Sequence, residues 1–451
     1  KITYIYLALF IFLICYTYYR AEFIHNGQQF TYYYKYYLIF IISSIFWFLV
    51  LFLNIKFKKY IIILATSLIF ILYFYETVRF FAPTIFNLNF IKLINNEYRE
   101  VPSNEQKSKL DVINELKINK NIEAAPSFFP KALLTEELSQ EKIDIFPLGG
   151  ISNIITVFCK EGTKYSIYKS DRYGFNNLDT EWDEKELFWF LVGDSFTQGS
   201  CVQQNENFAS HISTITQRSA ISVGMSGNGP LIELASLKEY ATKEKPKIVL
   251  WIYFERNDLD DLKTEKNSLT LLKYLNVDFS QNLNLRQKEI ENKIKKYIYV
   301  AKKNLTNKTN INKKKPEKFH TFNKILRLQI IRDKMALDRG LEFGIDPLFK
   351  QIMKKAKNLT NSWGGELYFV YLPDKERYSN HNVEGDNYLK KAEIIKIIRN
   401  LNIQIIDVHK DFLNKQSDPL NFYANRIYGH YSPDGYKKIA EFIIRNIKIN
   451  N

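Results

Sequence analysis

Three stretches within the first eighty residues carry almost no charge, and they constrain this chain before anything else does. "ITYIYLALFIFLICYTYY" (2–19) has no charged residue, and "YYLIFIISSIFWFLVLFLNI" (36–55) and "YIIILATSLIFILYFY" (60–75) follow closely. Each is long enough, or nearly so, to cross ~30 Å of hydrocarbon as a helix. Inside lipid every backbone N–H and C=O must be satisfied within the segment, which selects helices. Tyr and Trp cluster near the ends, as at membrane–water interfaces. A cleaved leader accounts for the first stretch but not for all three. The expectation is an anchor of three transmembrane helices over about 2–19, 36–55 and 60–78.

Charge sets the expected orientation. "KFKK" (56–59) reads as a lysine-rich loop between the second and third helices, whereas the loop before it is nearly neutral. The positive-inside rule places "KFKK" in the cytoplasm. Everything after about residue 80 then lies outside the membrane, which in a bacterium with two membranes is the periplasm. The expected setting is a multi-pass protein of the inner membrane, in contact with the bilayer through these helices.

The net charge of the 451 residues is +15, but the lysines are scattered or gathered in one polar stretch, without a nucleic-acid-binding signature. A solvated surface is the expected role of that charge, with no nucleic-acid partner. Cys15, Cys159 and Cys201 form no metal motif. Spacing alone does not establish whether Cys159 and Cys201 pair.

Residues 81–185 read as a linker and lead-in segment. Within it "NIITVFCKEGTKYSIYKSDRYGFNN" (153–177) has two β-rich runs flanking "KEGTK", a hairpin signal. From residue 186 to the end the chain alternates. Short apolar strands fall at 187–192, 220–223, 247–253, 366–371 and 403–408, with helical patterns between them. Near-continuous apolar strands alternating with helices argue a parallel sheet covered on both faces. Ligands in such sheets bind beyond the carboxyl ends of the strands. Residues 262–345, rich in Lys and Asn, interrupt the alternation and read as a partly helical insertion on a solvated surface.

The loops after these strands carry the chemistry. "LFWFLVGDSFTQG" ends a buried strand on Ser195, with glycines that let the backbone turn tightly. "VGMSGNGP" (223–230) offers the backbone N–H of Gly227, and "YFERNDLDDL" (253–262) the side-chain amide of Asn257. "IYGHYSPDGYKKIA" (427–440) places His430 just before a last helix. Taken singly, Gly227 reads as a turn glycine, Asn257 as a cap and His430 as one histidine of six.

Together, "GDSFTQG", "MSGNG", "ERND" and "GHYSPDGY" resemble, in order, the blocks of the SGNH (GDSL-type) hydrolases over roughly residues 186–448. The resemblance implies a flavodoxin-like three-layer α/β/α domain with a mostly parallel five-stranded sheet. It carries the nucleophile to Ser195 and the base to His430. The oxyanion donors become the Ser195 N–H, Gly227 and Asn257. Membrane helices before such a domain are similar to the layout of proteins that add or remove acyl groups on surface polysaccharides. The implied activity is that of an ester hydrolase or O-acyltransferase on acyl, foremost acetyl, esters of surface glycans. It proceeds through an acyl-serine and requires no metal or cofactor.

Two departures qualify this. Glu255 and Arg256 stand in the third block where many members have Gly first, and Arg256 is a candidate for binding an anionic sugar. The family usually has Asp three residues before its histidine; here that residue is Ile427. A backbone carbonyl, Asp407 or Asp418 remain as partners for His430. Asp258, Asp260 and Asp261 read as solvated and helix-capping, not as a metal site. The missing aspartate also supports a different class of function, a glycan-binding or assembly subunit that keeps the fold without turnover.

Overall fold

The computed structural model describes residues 1–24, 30–81, 107–134, 145–161, 164–308, 325–328, 331–332, 344–379, 388 and 390–448. The expected linker over 82–106 and part of the insertion lie outside the described residues. The chain forms two compact units, Lys1–Val101 with Leu305–Gly344, and Pro102–Asn304 with Ile345–Asn451.

In the first unit, α1 (Ile2–Tyr18), α2 (Phe30–Val50) and α3 (Ile55–Phe81) are helices. Three helices here are long and apolar enough to cross a membrane. Tyr6 of α1 stacks on Trp47 of α2, ring centroids 4.3 Å apart. Side chains such as Ile5, Leu64 and Phe70 are exposed along their outer faces. "KFKK" is not the connecting loop. The turn comes earlier, at Leu51–Asn54, and the lysines sit in the first turns of α3. Asn54 starts that helix by accepting from the Phe57 N–H at 3.1 Å.

The second unit contains two sheets. The small one joins β1 (Ala124–Pro126), β2 (Ile155–Val157) and β3 (Ile167–Lys169). β1 and β2 are parallel; β2 and β3 pair antiparallel, with Val157 opposite Ile167. Two bonds extend this hairpin past its strands, Phe158 N to Ser166 O at 2.9 Å and Ser166 N to Cys159 O at 2.8 Å.

The large sheet holds β4 (Trp189–Gly193), β5 (Ala220–Ser222), β6 (Ile248–Phe254), β7 (Glu366–Leu372) and β8 (Gln404–Asp407), all parallel, in the order β5-β4-β6-β7-β8. With β4 as strand one this is 2-1-3-4-5, the flavodoxin-like winding. The apolar runs are continuous because both faces are covered. Phe190, Val192, Trp251 and Tyr253 belong to one core, and Trp189, Leu191, Leu250 and Ile252 to the other. Fully burying such a side chain stabilises by ~1.5–3 kcal/mol.

Helices α4 (Lys109–Lys120), α5 (Phe208–Thr216), α6 (Pro230–Ser236), α7 (Asp258–Glu265), α8 (Gln287–Lys308), α9 (Pro347–Ser362), α10 (Lys391–Asn400) and α11 (Pro433–Arg445) complete the unit. Residues of α6, α9 and α10 join the first core; those of α5 and α11 join the second.

The early part of the expected insertion is not a solvated excursion. Leu271, Tyr274, Leu283, Ile290 and Ile294 are buried in the first core. Ile290 and Ile294 lie four apart on one face of α8, which is how an otherwise polar helix buries a stripe. The polar lead-in is joined to the sheet as well. Asn177 donates to Ser222 O at 2.9 Å and accepts from Ser222 N at 2.8 Å, holding β5.

Candidate active site

β4 ends on Gly193, where a Cβ would meet the Thr197 Oγ1 at 2.0 Å and the Ile252 carbonyl at 2.7 Å, so no side chain fits. The strand therefore passes close to β6 and delivers Asp194 and Ser195 at the switch point of the sheet, where β4 has neighbours reached by opposite windings. Asp194 caps the one-turn helix Ser195–Gln198 by accepting from Phe196 N at 2.9 Å. Its carboxyl is raised above its ordinary range by burial, although the nearby His430, Asn257 and Ser195 oppose the shift.

His430 approaches from the loop before α11. Its carbonyl accepts from Ala424 N at 3.0 Å, and its ring lies 4.9 Å, centroid to centroid, from Phe196. The His430 Nε2 is 3.0 Å from the Ser195 Oγ. The His430 Nδ1 is 2.6 Å from the Glu161 Oε1. A carboxylate on Nδ1 holds the proton there and leaves the Nε2 lone pair facing the serine hydroxyl.

The carboxylate on His430 is thus Glu161, from the "KEGTK" hairpin loop, not a residue near the histidine in sequence. Asp407 is occupied elsewhere, accepting from Lys410 N at 2.9 Å and from the Lys391 Nζ at 2.8 Å. Asp418 takes the Arg426 guanidinium at 2.5 Å and Leu420 N at 3.2 Å. The structure brings neither to His430, and the side chain of Ile427 is 45% exposed. Among the described residues, no backbone carbonyl holds the Nδ1. The one signal in the sequence for Glu161 was its position two residues after Cys159, which is bonded to Cys201 six residues after Ser195.

The two further residues that the sequence singled out, Gly227 and Asn257, lie on neighbouring loops. The loop holding Gly227 is pinned to the helix Ser195–Gln198 by Ser226 N donating to the Gln198 Oε1 at 2.8 Å. Gly227 has φ +78°, a left-handed conformation suited to glycine, and borders the Lys131 side chain. The Asn257 Nδ2 donates to the Asp261 Oδ2 at 2.8 Å and lies 3.4 Å from the Asp194 Oδ2, beside Ser195. Asp261 in turn pairs with the Lys131 ammonium. Burial lifts Asp261 to about 6 even with Lys131 and Asn257 opposing it.

Arg256 pairs with Asp374 at 3.3 Å. The neighbouring Glu255, where the resemblance expects glycine, is fully buried. It holds the Arg377 Nε at 2.6 Å and Nη2 at 2.7 Å, the Tyr371 hydroxyl and Asp374 N. A buried carboxylate persists only when its charge is met in this way. Glu255 thereby ties the loop after β7 to the loop after β6 at one rim of the crevice.

The three aspartates of α7 differ from expectation. Asp260 pairs with Lys263 at 2.6 Å, but Asp258 and Asp261 are buried. Asp258 accepts from Phe254 N at 3.0 Å and so fixes the turn that presents Asn257. Among the described residues, the group of His, Cys, Asp and Glu side chains close enough to share an ion is Glu161, Cys201 and His430. The Cys201 sulfur is already bonded to Cys159.

Beneath the site Glu233 is fully buried, and among the described residues neither carboxyl oxygen has a hydrogen-bond partner. Burial raises it well above its ordinary 4.5, and the neighbouring Asp194, Glu265 and Asp261 raise it further. A raised carboxyl contributes stability below 4.5 that is lost as pH rises towards its folded value. Glu233→Gln escapes that loss. Melting temperatures of the two proteins are expected to converge near pH 4 and to separate with rising pH, the variant becoming the more stable. Parallel curves up to pH 9 would contradict a neutral buried Glu233.

No family model matches the chain, and no curated protein matches it. Among solved structures it is similar to a protein from Desulfitobacterium hafniense described as lipolytic and of the G-D-S-L family. The identity is 14% and the TM-score 0.33, covering 58% of this chain and 100% of that chain. Likeness at this level leaves the chemistry to the site's own geometry.

Proposed function

We propose that the chain is a membrane-anchored, extracytoplasmic serine ester hydrolase or O-acyltransferase that acts on acyl esters of cell-surface glycans. The observation that carries this reading is the relay from the Ser195 Oγ to the His430 Nε2 at 3.0 Å and from Nδ1 to Glu161 at 2.6 Å. As the serine oxygen bonds to the ester carbonyl carbon, its proton passes to Nε2, and Glu161 stabilises the imidazolium. The carbonyl oxygen gains the negative charge and takes hydrogen bonds from the Ser195 N–H, the Gly227 N–H and the Asn257 amide. Collapse breaks the bond to the alcohol oxygen, which receives the proton from Nε2, leaving acyl-serine. Water, or a sugar hydroxyl, gives its proton to His430 and takes the acyl group.

Three apolar helices support the anchor, and a disulfide supports an oxidising compartment. Arg256, at the crevice rim, suits an anionic sugar. The alternative of a subunit without turnover rested on the absent aspartate; the Glu161 carboxylate on His430 supports the catalytic reading instead. A fluorophosphonate probe is expected to label Ser195 in the full chain, with surface glycan gaining or losing acetyl groups when the protein is deleted. A folded protein that resists the probe and whose deletion leaves glycan acylation unchanged would defeat the proposal.

A further inference from the structure

We infer that the Cys159–Cys201 disulfide is the device that positions Glu161 on His430, so that ester turnover depends on the oxidised state of this one bond. The inference rests on the serine-relay reading above and adds its regulation.

Three observations carry it. Glu161 lies two residues after Cys159, so the chain between their Cα atoms spans at most ~7 Å. Cys201 lies six residues after Ser195, beyond the one-turn helix that the serine begins, and its Cα is 5.1 Å from that of Cys159. One covalent bond therefore joins the acid's loop to the nucleophile's turn. Second, among the described residues the hydrogen bonds of residues 159–161 that leave the hairpin go to His430 alone. The hairpin's body is held by its pairing with β1 and by the Gln198 amide donating to the Tyr168 hydroxyl at 3.2 Å, so what the disulfide can set is the placement of the tip beyond Cys159. Third, the Cys201 sulfur, a Glu161 carboxylate oxygen and a His430 ring nitrogen all lie within 4.8 Å of one another. The sulfur thus sits beside the pair, whose His430 and Glu161 side chains are 25% and 14% exposed.

Opening the bond leaves Glu161 to find His430 by loop motion alone. The effective concentration of carboxylate at Nδ1 then falls. The redox step is a two-electron exchange. Two cysteine thiols and one small-molecule disulfide, such as glutathione disulfide, give the protein disulfide and two small thiols. A phosphine reverses it, taking oxygen from water to become the phosphine oxide while the protein regains two thiols.

The test uses the full chain in detergent, with p-nitrophenyl acetate as substrate and tris(2-carboxyethyl)phosphine as reductant. Reduction is expected to lower kcat by roughly 10–10³-fold, short of the ~10⁴ that losing a triad acid costs. Glutathione disulfide is expected to restore it. Glu161→Gln is expected to start low and fall no further on reduction. The low-field proton resonance of the His430 Nδ1–H is expected in the oxidised protein and absent after reduction. Inserting one glycine after Lys160 keeps the disulfide but loosens the acid, and is expected to reproduce the reduced state in both readouts. Equal losses in the native protein and Glu161→Gln would overturn the inference, as would a resonance that survives reduction. Ser195→Ala in the same assay keeps the two readings apart. Full turnover there defeats the acyl-serine mechanism, while the resonance still decides whether the disulfide places Glu161.

Discussion

Ser195→Ala is expected to lower ester turnover by about 10⁶-fold while leaving the fold in place. The substitution removes one oxygen from a half-buried turn whose helix is capped by Asp194, not by the serine. Stability should move by no more than ~0.5 kcal/mol. His430→Ala is expected to be as severe, and the double variant scarcely worse, because nucleophile and base act as a unit. Steady-state kinetics on a small acetyl ester, with thermal unfolding as the control, checks this. Near-native turnover in Ser195→Ala alongside an inactive His430→Ala would point to a histidine-activated water.

The second large effect belongs to Glu161. An amide at this position can donate to the His430 Nδ1, which leaves the proton on Nε2 and points it at the serine. The base is then in the wrong tautomer, a fault that costs about 10⁴ in kcat where it is known. Glu161→Gln is expected to show a loss of that order with little change in KM, whereas Asp407→Asn and Asp418→Asn keep most of their turnover. Those two carboxylates are held by Lys391 and Arg426 and do not reach the imidazole. A deep loss in either, with Glu161→Gln active, would move the acid elsewhere.

The strands of the large sheet were legible because burial on both faces leaves a run such as Leu187 to Val192 without a polar residue. The place of Ser195 beyond the end of a buried strand was legible because a run that ends in Gly-Asp-Ser must turn there. Glu161 was not. It stands 269 positions from His430, and beyond its place two residues after Cys159 nothing local distinguishes it among 48 acidic residues. Its loop reaches the site through the pairing of two cysteines and through the bonds of Gln198 and Gln204 to β3, and both are matters of three-dimensional geometry. Asp258 and Asp261 misled for a related reason. A run of acids at a helix start looks solvated, and here their neighbours Lys131, Asn257 and Phe254 come from other elements or from the turn itself. The helical stripe of Ile290 and Ile294 was hidden among lysines, whose number says nothing about which face is inward.

The small sheet has a practical meaning for anyone who would excise this domain. The pattern of apolar strands invites a cut just before Leu187, and such a fragment keeps all five strands of the large sheet. It discards Glu161, leaves Cys201 without its mate, and strips Asn177 from β5. A piece meant to keep the contacts of Ser195, His430 and Glu161 therefore begins upstream of β1, well before the boundary where the fold first becomes recognisable.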